Sequence, residues 1–80
     1  SAPADPRAWN WPRAELLAPL QQAVQLGYYR GILNQLAAID TAQPECADFT
    51  GAMRELARQF QFEAIGRALA DAGTTEGALR

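Results

Sequence analysis

The chain has 80 residues, 49% of them apolar and 20% charged, with a net charge of −2 at pH 7. That composition excludes a largely disordered chain and fits one small domain, able to bury about 60–65% of its unfolded surface. A pI of 4.9 with no basic run argues against a nucleic-acid partner held by phosphate contacts. No apolar run approaches the roughly 20 residues that span a bilayer, so direct membrane insertion is not expected.

Residues 1–11 read as a linker or N-terminal tail, because Pro3 and Pro6 resist helix and the small residues around them offer little to bury. Trp9 and Trp11 stand out in it. Folding back over the end of the core is the favoured role for them, with partner binding the rival. Pro12 suits the first position of a helix and Glu15 its first turn. Leu16, Leu17, Leu20, Ala23 and Val24 then share one face. Pro19 interrupts this run and predicts a kink, or a short first turn before the main helix. Gly27 is a natural left-handed cap.

The second helix is expected over Tyr28 to Asp40, with Tyr29, Ile32, Leu33, Leu36 and Ile39 inward. Gly31 inside it predicts close approach of a neighbouring helix. Pro44 marks a turn, followed by a third helix from about Glu45 to Gln59 that carries Phe49, Met53, Leu56, Ala57 and Phe60 inward. The fourth runs from Phe62 through Ile65 and Leu69 to Ala72, with Gly73 as its stop and 74–80 as a frayed tail. Phe60 and Phe62, on either side of Gln61, are expected to form the hinge of this hairpin and its heaviest core contribution. An offset of 33 residues aligns Leu20 with Met53, Val24 with Ala57, Tyr29 with Phe62, Ile32 with Ile65 and Leu36 with Leu69. The fold expected is therefore all-α: a four-helix bundle over residues 12–73, built from two packed, repeat-like hairpins.

The inventory offers little chemistry. Histidine and lysine are absent and the only serine is Ser1. A phosphoacceptor histidine, the usual general base, a Schiff-base nucleophile and a prosthetic-arm serine on a helix are all missing. Cys46 is the single cysteine, which fits a reducing compartment, and Glu45 and Asp48 nearby oppose its thiolate. Asp40, Glu45 and Asp48 lack the spacing of a calcium loop and read as solvated or capping carboxylates. Arg54 and Arg58 read as a solvated stripe. Neither a cofactor nor a metal is expected, and the chain itself is not expected to be an enzyme. Tyr28 and Arg30, with Gln35 beside them, lie off the inward face of the second helix. The first two are the candidate partner surface, a tyrosine lying flat on the bundle being the rival.

A Pro-initiated first helix with Glu15-Leu16-Leu17 and Leu26-Gly27 leads into Arg30-Gly31-Ile32-Leu33 with Leu36. A Pro44 turn, Phe49 and the run Leu56-Ala57-Arg58-Gln59-Phe60-Gln61-Phe62-Glu63-Ala64-Ile65 follow. This order, over residues 12–72, resembles the small helical domain at the C-terminal end of many bacterial hybrid sensor histidine kinases, after the receiver domain. The resemblance implies a non-catalytic interaction module in the cytoplasmic part of a two-component signalling protein, its partner a protein or the neighbouring receiver or kinase domain. A helical docking domain of a multienzyme assembly and a fragment of a helical-repeat scaffold are the alternatives. The first residue, Ser1, fits a domain excised from such a parent.

Overall fold

The structure is a computed structural model that describes residues 5–78, with side chains as far as Asp71. Four α-helices account for most of it: α1 (Ala14–Leu26), α2 (Tyr29–Ala42), α3 (Ala47–Arg58) and α4 (Phe62–Ala78). Short 3-10 turns at Pro6–Ala8 and Pro44–Cys46 precede α1 and α3. The helices run alternately up and down. α1 packs on α2 and α4, and α3 on α2 and α4, so the four close into a ring around one core.

Most of that core comes from apolar residues the helical periods mark, joined by Cys46, while Leu16, Leu17, Tyr29 and Leu33 of the marked faces are only half-buried. Leu20, Ala23 and Val24 come from α1, Ile32, Leu36 and Ile39 from α2, Phe49, Met53 and Ala57 from α3, and Ile65 and Leu69 from α4. Leu56 is half-buried against it. Among the described residues, the one polar residue fully inside is Thr50. Its hydroxyl donates to Asp40 Oδ1 at 2.6 Å, so burial leaves no orphan. Arg54 Nη2 reaches the other oxygen of Asp40 at 2.7 Å, tying α2 to α3. Desolvation pushes the Asp40 carboxyl up, but the Thr50 and Arg54 hydrogen bonds and the Arg54 charge outweigh it and hold the group below its ordinary value. Arg54 is thus a tie between helices rather than part of a solvated stripe. Gln35 is likewise half-buried, not solvent-facing, and its Nε2 donates to the Leu16 carbonyl at 3.0 Å.

Several boundaries differ from those expected. Pro12 is buried ahead of α1 rather than opening it, and Arg13 occupies the cap position. Pro19 lies within a continuous α1 on its exposed face, where the Glu15 carbonyl it frees can turn to water. α4 does not stop at Gly73 but continues to Ala78, a glycine costing about 1 kcal/mol against alanine inside a helix without by itself ending it. The described part of the N-terminal tail is not a free linker. Trp9 and Trp11 fold onto Phe49, with ring centroids 6.3 and 4.9 Å from it, and Asn10 Nδ2 donates to the Glu45 carbonyl. Residues 1–4, and 79–80 at the end of the expected frayed tail, lie outside the described residues.

The repeat seen in the sequence is also a repeat of structure. α1 and α3 start at Ala14 and Ala47, and α2 and α4 at Tyr29 and Phe62, each pair 33 residues apart. Leu20 and Met53, Val24 and Ala57, Ile32 and Ile65, and Leu36 and Leu69 are buried in both members of each pair.

Candidate functional site

The two hairpins turn at the same end of the bundle, and by the same device. Gly27 ends α1 at φ 66°, with Tyr28 N donating to the Ala23 carbonyl and Gly27 N to that of Val24, both at 3.0 Å. At α3, Gln61 N donates to Leu56 O at 3.0 Å and Phe60 N to Ala57 O at 2.9 Å. These are the paired bonds of a Schellman cap, which places the residue after the helix in the left-handed region. Phe60 occupies the place of Gly27, at φ 57°, and is the only non-glycine residue with positive φ among those described. The left-handed conformation costs an L-residue about 1–2 kcal/mol that glycine avoids.

That geometry also aims the side chain. The expectation of a buried Phe60 is overturned: it is 66% exposed. A residue beyond the last helical turn no longer follows the period of three to four, and the left-handed backbone swings its side chain out of the core face. The turn is still the hinge expected there. Phe60 lies against Tyr29 (centroids 5.3 Å apart) and edge-on to Phe62 (5.9 Å), both half-buried, so an aromatic patch spans the two hairpins. Exposed Leu26 and Tyr28 belong to the adjoining turn.

Tyr28 and Arg30 are both exposed at this end. The Tyr28 ring lies over the first turn of its own helix. A methyl group added at Gly31 would come within 2.5 Å of that ring, and this, not a neighbouring helix, is the close approach at Gly31. Arg30 and Arg67 make no ion pair among the described residues. Arg67 lines a hollow of about 250 Å³ with Phe60, Gln61, Phe62, Glu63 and Ala64. It also borders a broader groove of about 1010 Å³ along the α1–α4 seam, floored by Leu17, Ala68 and Leu69. The two hollows share Ala64 and Arg67.

Of the groups singled out in the sequence, the Cys46 thiol is buried and the Asp40 and Glu45 carboxylates are already hydrogen-bonded. Cys46 is fully buried, and desolvation, with the Glu45 charge, pushes its thiol up, away from the nucleophilic thiolate. Asp40 is turned to Thr50 and Arg54, and Glu45 accepts from Gln43 Nε2 at 3.4 Å. Among the described residues no three potential metal ligands come together, and no helix is long and apolar enough to cross a membrane. Phe60 is the residue the helical pattern misplaces. The signal that finds it is the 33-residue offset, which sets an aromatic opposite a capping glycine.

Comparison with known proteins finds no counterpart. No family model, curated protein or solved structure matches the chain.

Proposed function

We propose that the chain is a non-catalytic interaction domain that docks a protein through the end where its two hairpins turn. One observation carries this reading. Phe60 is a large aromatic held exposed, in a backbone conformation that glycine would adopt without cost, at a turn whose twin uses glycine. Neither core packing nor turn formation requires a phenylalanine there, whereas aromatic and Arg side chains are the commonest interface anchors. Tyr28, Tyr29, Phe62 and Arg30 complete the surface.

The resemblance of residues 12–72 to the helical domain of hybrid sensor histidine kinases supplies a setting: the cytoplasmic part of a two-component signalling protein, with a receiver or kinase domain as partner. A docking domain of a multienzyme assembly would use the same surface. The 33-residue hairpin period also suits a fragment of a helical-repeat scaffold, but contact between α1 and α4 closes the ring instead of leaving the second hairpin open for stacking. The test is a photo-crosslinking phenylalanine analogue placed at position 60 in the cells that make the protein. A discrete adduct containing a receiver or kinase domain is expected, with none from the same label at exposed Ala38. Equal adducts from both positions would remove the docking surface, and a discrete adduct to a carrier or synthase enzyme would move the domain to the multienzyme setting.

A further inference from the structure

The chemistry around Phe60 narrows what can dock there. The hollow beside it, about 250 Å³, is smaller than the roughly 300–1,000 Å³ of pockets that enclose small molecules. It is open, and it has room for about one large side chain. Phe60, Phe62 and Ala64 give it an apolar side and Gln61, Glu63 and Arg67 a polar one, so the inserted group sets an apolar part against the two rings.

Charge supplies the second constraint. The chain as a whole is acidic, with net charge −2. Four of the described arginines, Arg7, Arg13, Arg54 and Arg58, are paired with carboxylates. The two that are not, Arg30 and Arg67, both sit on helices leaving the hairpin-turn end, Arg30 next to Tyr29 and Arg67 in the wall of the hollow itself. One carboxylate, Glu63, also lines the hollow, four residues before Arg67, and no salt bridge joins the two. In an acidic protein, guanidinium groups left unmatched beside an exposed aromatic are a complementary surface for carboxylates from elsewhere.

We infer that the partner is an acidic segment, helix or loop, that inserts one large apolar side chain between Phe60 and Arg67 and sets flanking carboxylates on Arg67 and Arg30. Glu63 repels an excess of negative charge at the hollow, so the carboxylates belong beside the inserted residue and not at its tip. Because the seam groove shares Ala64 and Arg67 with the hollow, a helical partner continues from Phe60 along α1 and α4 toward Trp11, with uncharged or basic residues facing Asp71 and Asp5, which also line that groove. This inference rests on the docking surface proposed above and adds the chemistry of what it binds.

The experiment is selection of a random-peptide display library on the immobilised 80-residue chain, with the doubly substituted Phe60→Gly, Arg67→Glu chain as counter-selector. Both positions are outside the core, and a melting curve for each chain confirms that the counter-selector is folded. Peptides that distinguish the two chains are expected to share a Leu, Phe or Trp next to Asp or Glu and to be acidic overall. The tightest of them should lose at least about tenfold in affinity with Arg67→Glu alone, and regain part of it with Arg67→Lys. Distinguishing peptides that are neutral or basic would overturn the acidic partner while leaving the docking surface intact. A library in which no peptide distinguishes the chains would remove both. Self-association of the wild-type chain, abolished by Phe60→Gly in sedimentation, would replace the acidic segment with a second copy, and binding to neutral vesicles as strong as to any peptide would replace it with a lipid surface.

Discussion

The two ends of the bundle each carry an aromatic cluster, and they use it in opposite ways. At the α2–α3 end, Trp9 and Trp11 lie against Phe49, which is fully buried; the rings close the core and fasten the N-terminal segment to it. At the hairpin-turn end, Phe60 lies just as close to Tyr29 and to Phe62, yet it stays in solvent. Residue type does not separate the clusters; backbone does. Phe49 sits within α3 on its inward face, and Phe60 sits beyond its last turn in a left-handed cap. Buried rings stabilise a fold, while exposed rings fixed by an unfavourable backbone add little to it and remain available to a partner.

The comparison can be broken or sharpened by substitution. Phe49→Ala should have the largest effect, a loss of about 3–5 kcal/mol in denaturant unfolding, near the whole stability of so small a domain. Trp11→Ala should cost about 1–3 kcal/mol, because that side chain is only half-buried. It should also release the N-terminal segment, seen as faster exchange of the Arg13 backbone amide, which donates to Gln43 Oε1, and of the Asn10 side-chain amide, which donates to the Glu45 carbonyl. At the other end the two caps should respond alike. Gly27→Ala should destabilise by about 1 kcal/mol, although the added methyl meets no atom within 4 Å, because only the backbone is strained. By the same reasoning Phe60→Gly should be about 1 kcal/mol more stable than Phe60→Ala in paired thermal melts. The smallest effect should come from Asp40. Its carboxyl titrates lower in the folded chain than in the unfolded one, so its contribution is present above the unfolded value of about 3.9 and fades as pH falls through the lower folded value. With both side chains of the pair partly exposed, that contribution is at most about 1 kcal/mol. Asp40→Asn should flatten that part of the acid unfolding curve.

How much of this was legible beforehand follows from what each pattern encodes. Spacings of three and four residues state which face of a helix is inward, and they located Leu20, Ile32, Leu36, Met53, Ile65 and Leu69 correctly. They are silent where the helical phase ends, which is why periodicity alone places Phe60 in the core. Local contacts between side chains are equally invisible to periodicity. Gly31 makes room for Tyr28, its own neighbour in the helix, and Arg54 and Gln35 are drawn inward by Asp40 and the Leu16 carbonyl. Of the candidate surface, Tyr28 and Arg30 were visible as polar-face residues. The left-handed turn at Phe60, the residue on which the surface centres, was not.

The account depends most on Phe60 lying outside the core, and equilibrium denaturation of Phe60→Ala beside Phe49→Ala tests that directly. With the ring two-thirds exposed, Phe60→Ala should lose about 1–2 kcal/mol, its contacts with Tyr29 and Phe62 each contributing toward the low end of about 0.5–1.5 kcal/mol per aromatic pair. A loss of about 3–5 kcal/mol, matching that of Phe49→Ala, would return Phe60 to the core and take the docking surface with it.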